Sequence, residues 1–391
     1  MRRLIASDYL FDGCRFMTNH ALLLEDTGEI IDIVPQGAFE PRDAYFYPGL
    51  ITPGFINAHC HLELSHLKGL FNTGTGLIPF LNDVVSQRDF AQEKIDEAIQ
   101  TADAEMWTNG IVAVGDISNK TDTIGIKRRS NIYYYTFVEC FDFLQNGSDA
   151  FLKPYLEVYD SFTGLPRAMV PHAPYSVSPS LFESINSVNS SAHIISIHNQ
   201  EVNDEDQLFI SKQGGFENFY RKFGFSLDHF IPNGKTSVHY TMEHLNPDFQ
   251  LLLVHNTCMS DTDIRSVMKW NLNTFFVTCP NANLFIENKL PDYRHFTSCN
   301  ANLCIGTDSL SSNWNLSILE EIKTILKYQS YLELGEVLQW ATSNGAKALK
   351  VDQQFGSLKS GMKPGLNWIQ DIEVAGKEVR LKENARVQKI I

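Results

Sequence analysis

No run of about 18 apolar residues occurs anywhere in the chain, so a membrane-spanning helix is not expected. Positive charge is also scarce: 32 Lys and Arg stand against 46 Asp and Glu, a formal net charge of −14. Nucleic acid and anionic lipid are bound by clustered Lys and Arg, so neither is expected as a partner. A small anionic ligand stays open, because the charge of a pocket can oppose the net value. There is no CxxC pair. Cys14, Cys60, Cys140, Cys258, Cys279, Cys299 and Cys304 are scattered without framework spacing, which points to reduced thiols in a cytoplasm. The start has two basic residues but no apolar stretch of signal-peptide length before Asp8, and a cytoplasmic protein is expected.

Several motifs are missing too. Without GxGxxG or GxxxxGK[ST], Gly74-Thr75-Gly76 reads as a flexible loop and not as a phosphate cradle. His239 and His244 flank Glu243 at the wrong spacing for HExxH and read as surface residues. Cys279-Pro280 is not the PCxxC of the cytidine-deaminase zinc site. His20, His66, His193, His229 and His295 read as ordinary histidines. The run Lys127-Arg128-Arg129 reads as a solvated face, with contact to a substrate carboxylate as its alternative.

What is present is a chain of 391 residues, 43% apolar and 20% charged, able to bury a large core. Residues 1–50 carry short strand-like pieces with turn signals, such as Ala21–Leu24 and Ile30–Val34, and residues 355–391 resemble them at Asn367–Ile372 and Glu378–Leu381. The two ends are expected to form one small β-sandwich domain. Between them, over 51–354, apolar β-rich runs alternate with helical stretches such as Gln92–Thr108 and Asn315–Tyr328. The runs are Ile51–His61, Ile111–Ile117, Ile132–Cys140, Arg167–His172, His193–His198, Gln250–His255, Asn273–Thr278 and Ala301–Asp308. Nearly continuous apolar runs suit strands of a parallel sheet covered on both faces. Eight strand–helix repeats predict an α/β fold of the (β/α)8 TIM-barrel type, with a doubly wound sheet as the alternative.

Polar residues gather at the C-terminal ends of these runs, the face on which such barrels do chemistry. The first run ends in His59-Cys60-His61, and strand alternation turns both histidines to one face. Two buried imidazoles are costly to leave unpaired, and a metal satisfies both. The fourth run ends in His172, the fifth in His198-Asn199-Gln200-Glu201, the sixth in His255 and the eighth in Gly306-Thr307-Asp308-Ser309.

Pro53-Gly54-Phe55-Ile56-Asn57-Ala58-His59-Cys60-His61, followed by HNQE, LLVHN and GTDS, resembles the amidohydrolase superfamily over essentially the whole chain. More narrowly it resembles the deaminase and chlorohydrolase branch, with its aminofutalosine, S-adenosylhomocysteine and guanine deaminases. The resemblance implies one divalent metal ion, zinc first and iron second, on His59, His61, His198 and Asp308. It places Glu201 as proton shuttle, Asp308 as acceptor of the water proton, and His255 as a group orienting the activated water. His172, in His172-Ala173-Pro174-Tyr175, is similar to a substrate-contacting motif and replaces the lysine of two-metal members. Glu63, in the HLE that follows His61, is similar to aminofutalosine deaminases, and reads equally as a carboxylate orienting a ligating histidine. Glu139, Asn313 and Trp314 are further candidates for the pocket lining.

The substrate implied is a small molecule, an adenine-type nucleoside or related aminated heterocycle, deaminated with release of ammonia. Alternatives are triazine chloro- or aminohydrolysis, guanine or cytosine deamination, and cyclic-amide hydrolysis. A non-catalytic scaffold is disfavoured because every ligand position is filled. Residues 207–235 are long and aromatic enough for a lid, and family members commonly form homo-oligomers. Pro364-Gly365-Leu366-Asn367 departs from the family, which often carries an aspartate there.

Overall fold

The computed structural model describes residues 2–145, 149–376 and 378–391. The N-terminal strands are β1 (Arg2–Phe11), β2 (Phe16–Met17), β3 (His20–Glu25), β4 (Ile30–Pro35) and β5 (Tyr45–Pro53). They are followed by β6 (Phe55–Cys60), β7 (Ile111–Ser118), β8 (Tyr133–Cys140), β9 (Arg167–Pro171), β10 (Ile194–Asn199), β11 (Gln250–His255), β12 (Thr274–Thr278) and β13 (Leu303–Ile305). The chain closes with β14 (Leu366–Ala375) and β15 (Glu378–Lys389). Lys377, between the last two in sequence, lies outside the described residues.

Both ends of the chain build one sheet, in the order β15-β14-β5-β1-β3-β4, with β2 paired to β1. β5 runs parallel to β1 (Leu10 beside Ile51) and antiparallel to β14 (Trp368 beside Ile51). Ile5, Leu22, Leu24, Ile30, Ile51, Leu358 and Leu366 pack into a small core of their own under this sheet.

The middle of the chain forms two parallel quartets, β6-β7-β8-β9 and β10-β11-β12-β13, with helices between successive strands. Strand order follows chain order in both. A doubly wound sheet needs a reversal of order at its switch point, and none occurs among the described residues. The strands are buried along almost their whole length, as a sheet packed on two faces requires. The quartets also touch at both edges. The His198 N–H donates to His172 O at 2.9 Å, and the Thr307 and Asp308 N–H groups each reach His59 O at 3.0 Å.

The run Ile51–His61, predicted as one strand, is two. Gly54 separates β5, in the terminal sheet, from β6, in the first quartet. A Cβ at Gly54 would meet Val112 Cγ1 at 2.3 Å and Pro364 O at 2.7 Å, so only glycine lets the chain change sheets there. The last run is shorter than predicted, because β13 stops at Ile305. A Cβ on Gly306 would fall 2.8 Å from His59 Cβ, and this close approach ends the strand at the site.

Candidate metal centre

His59 and His61 leave the end of β6 on one face, as strand alternation dictates, with Cys60 buried on the other. Their Nε2 atoms are 3.1 Å apart. Asp308 Oδ1 lies 3.7 Å from His59 Nε2 and 3.4 Å from His61 Nε2. Donors sharing one small tetrahedral cation at 2.0–2.1 Å sit about 3.3 Å apart, so these three groups fit one ion. The His198 ring comes within 4.9 Å of His59 and 5.4 Å of His61, centre to centre. The His255 ring stacks on that of His198 at 5.4 Å.

The chemistry of the donors fits as well. Burial pushes the His61 imidazole down to about 3, burial together with neighbouring imidazoles holds His198 well below its ordinary value, and burial lowers His255 against the opposing pull of Asp308 and Asn283. Neutral rings keep the lone pair a metal needs. Burial raises the Asp308 carboxyl, but the surrounding imidazoles outweigh it and hold the group well below the carboxylate range, hence ionised. Outer contacts fix the rings. His198 Nδ1 donates to His172 O at 2.8 Å and His255 Nδ1 to Asn283 Oδ1 at 2.8 Å, which turns both Nε2 atoms inward. The Ser312 hydroxyl donates to Asp308 Oδ2 at 2.6 Å. His255 and Asp308 both sit in left-handed backbone, at φ 70° and 59°, a conformation uncommon for non-glycine residues but enriched for His and Asp.

Around this cluster lies a cavity reached by His61, His198, His255, Asp308, Glu139, His172 and Glu201. Gln200, at φ 43°, turns the chain after β10 and brings Glu201 to the wall, with Oε1 3.8 Å from His255 Nε2. Burial, then the negative Asp308, pushes the Glu201 carboxyl well above its usual range, so it holds its proton to higher pH than an exposed glutamate. Glu139, second from the end of β8, approaches His198 Nδ1 at 3.5 Å and accepts from Asn119 Nδ2 at 3.0 Å. Burial lifts Glu139 to about 7. His172 hydrogen-bonds Ser176 through Nδ1 at 2.7 Å.

Three expected lining residues are elsewhere. Asn313 is buried and donates to Thr307 O and to Glu321 Oε1, both at 2.7 Å. Trp314 is 51% exposed and packs on Phe285. Glu63 does not itself line the cavity: its Oε2 accepts the N–H of Asn119 (2.9 Å) and Lys120 (3.0 Å), and its Oε1 meets Arg88 at 3.5 Å. Lys127 is not part of a solvated face. It is buried and paired with Asp116 at 2.6 Å, while Arg128 and Arg129 are exposed.

Sequence reading missed the apolar half of the cavity. Leu77, Phe80 and Val84 of the helix Leu77–Gln87 line it, with Phe219 and Tyr220 from the 207–235 segment. The helical spacing of the first three is present in the sequence, and Phe219 and Tyr220 lie in the aromatic segment 207–235 expected as a lid, although nothing in the sequence singles out these two. Asn283, on the helix Pro280–Glu287, reaches the site only through its hydrogen bond to His255, which no motif in the sequence marks.

Comparison with known proteins agrees with this arrangement. The profile of the Amidohydrolase family matches residues 50–389. A Helicobacter pylori protein described as an adenosine deaminase is 29% identical over 347 residues, 84% of each chain. The crystal structure of Helicobacter pylori aminofutalosine deaminase in complex with methylthio-coformycin superposes with a TM-score of 0.79 at 25% identity, covering 93% of this chain and 91% of that one. An adenosine deaminase structure from Xanthomonas campestris with bound zinc gives 0.71 at 21% identity, over 94% and 84%.

Proposed function

The chain belongs to the amidohydrolase family, and on that premise we propose that it is a metal-dependent deaminase of adenine-type nucleosides. The two parallel quartets, touching at both edges, are read as one (β/α)8 barrel, and the sheet built from both termini as the accompanying β-sandwich domain. The observation that carries the proposal is one cavity wall holding four ionisable strand ends. These are His61, paired with the buried His59, and His198, His255 and Asp308, with the Glu201 carboxyl beside them.

His59, His61, His198 and Asp308 would hold one divalent ion, zinc first and iron second. The ion's contribution is Lewis acidity, which brings the pKa of a water down to about 7. His172 at the end of the fourth strand leaves no lysine there to bridge a second metal. Asp308, ionised in its ring of imidazoles, takes the proton of the attacking water. His255 has spent Nδ1–H on Asn283 and presents Nε2 toward Glu201, where it orients that water. Glu201 gives its proton to the ring nitrogen next to the amine-bearing carbon, takes up the proton of the hydroxyl now on that carbon, and passes it to the leaving amine, after which the proton held by Asp308 restores the starting state. The carbon exchanges an amino group for oxygen, and ammonia departs. His172 and Glu139, at the cavity wall, are the groups placed to meet the base or sugar.

The test is ammonia release by metal-loaded protein across adenosine, 5′-methylthioadenosine, guanine, cytosine and amino-triazines. Release from the adenine nucleosides alone supports the proposal. Release from none of these, with cleavage of a cyclic amide instead, would replace it.

A further inference from the structure

The turn that carries Glu201 to the cavity is one the backbone resists. Gln200 sits at φ 43°, in the left-handed region, where a side chain is strained and stays only if its surroundings hold it. Gln200 and Glu201 are both buried, so their backbone amides must be met within the protein. On one side the Gln200 carbonyl accepts the Cys258 N–H at 2.8 Å, from the segment that follows His255. On another the Gln200 side-chain amide donates to Asp206 Oδ2 at 3.0 Å and to Asp263 Oδ2 at 3.4 Å. The third hold is on the backbone amides themselves. Glu205 Oε1 accepts the Gln200 N–H at 2.9 Å, and Glu205 Oε2 accepts the Glu201 N–H at 3.2 Å.

Glu205 is the third residue of the helix Asn203–Ser211. An acid at that position ordinarily turns back to the N–H of the capping residue, here Val202. Glu205 reaches further. Its one carboxyl group grips two successive N–H groups, as an anion does in a backbone nest. The grip is itself steadied, because the Ser237 hydroxyl, at the start of the helix Ser237–His244, donates to Glu205 Oε1 at 2.7 Å. Glu205 is fully buried, does not line the cavity and is paired with no Lys or Arg among the described residues. A buried acid without a cation is a costly way to fill space, and its hydrogen bonds all converge on the turn before Glu201 and on the residue that steadies it.

We propose that Glu205 is a positioning residue for the deamination: through the Gln200 and Glu201 amides it fixes the place from which the Glu201 carboxyl delivers its proton. This rests on the deaminase reading above and adds to that site the group that aims its proton carrier. In Glu205→Gln the side chain keeps its shape but offers one acceptor oxygen to two N–H donors. One amide is then buried and unpaired, and the strained turn is free to relax.

Burial and Asp206 push the Glu205 carboxyl up to about 8, against the Ser237 hydroxyl and the two N–H groups, so the assay is run at about pH 9, where it is ionised. Ammonia release from adenosine and 5′-methylthioadenosine is measured beside metal content for wild type, Glu205→Gln, Glu201→Gln and the double variant. Glu205→Gln should lose about 10- to 100-fold in kcat, with KM within about twofold and metal content unchanged. In the Glu201→Gln background the same change should cost less than about twofold, because no proton carrier is left to aim. Ser237→Ala should reproduce the pattern at about two- to fivefold, and it carries the test if Glu205→Gln does not fold. Equal losses in both backgrounds, a loss confined to KM or to metal content, or an unchanged kcat in the folded variant would overturn the positioning role and leave the deaminase reading in place. No ammonia from wild type with either nucleoside would overturn both.

Discussion

Glu201 owes its chemistry to position: an ordinary carboxyl, buried beside the negative Asp308, keeps its proton where a solvent-exposed glutamate would lose it. Glu201→Gln preserves shape but removes the transferable proton. It should lose about 10²- to 10⁴-fold in kcat with metal content unchanged, measured by ammonia release beside metal analysis. Near-normal turnover would remove Glu201 from the mechanism. Glu321 is a second buried acid, pushed up to about 8 by burial although Asn281 N–H and the Asn313 amide hydrogen-bond to it. Its folded value lies above the unfolded one, near 4.5, so the folded state holds the proton longer. The stability this contributes is whole below about pH 4.5 and is lost as pH rises through about 8. Glu321→Gln should therefore flatten the decline of Tm between pH 5 and 8, and an unchanged slope would contradict the assignment. At this scale the sequence was informative for groups on strand ends and poor for those after them. His59, His198 and His255 follow from the strand period, but Asn313 and Trp314 follow β13 through a left-handed Asp308, and no periodicity says where such a turn points.

Among elements, a buried ion pair joins β7 to the short helix Ile124–Lys127, and its carboxylate also holds the segment after β6. Asp116 Oδ2 binds Lys127 Nζ at 2.6 Å, Asp116 Oδ1 accepts the Leu62 N–H at 2.8 Å, and Ser118 and Thr136 hydroxyls meet the same ammonium at 3.0 and 3.1 Å. The pair therefore steadies the residue next to His61. Lys127→Met leaves a buried carboxylate without its cation and should cost about 3–5 kcal/mol in urea unfolding, whereas Asp116→Asn/Lys127→Met should recover part of that loss. A single variant as stable as wild type would contradict the pairing. Lys127 was misread because a basic triplet ordinarily marks solvent, and only the fold reveals that its first member turns inward. Gly54 shows the same limit. Apolar character runs unbroken through Ile51–His61, and the change of sheet is dictated by Val112 and Pro364, both remote in sequence.

At the scale of the whole molecule, two parallel quartets bring residues at or just past the C-terminal ends of β6, β8, β9, β10, β11 and β13 to one cavity, while strands more than 300 residues apart in the chain share a separate sheet. The alternation of runs with helical stretches made this arrangement legible, because a strand covered on both faces must be apolar throughout. The apolar chamber was not legible, since its walls come from a helix after β6 and a segment after β10 that meet only in space. The central claim is that distant strands converge on one cation. The most direct measurement is metal content of the purified chain by inductively coupled plasma mass spectrometry, for wild type and for His59→Asn, His198→Asn and Asp308→Asn. One divalent transition-metal ion per chain is expected in wild type, falling to about a tenth or less in the histidine variants and sharply in Asp308→Asn. A wild-type protein that takes up no such ion, or a His198→Asn variant that keeps a full equivalent, would contradict it.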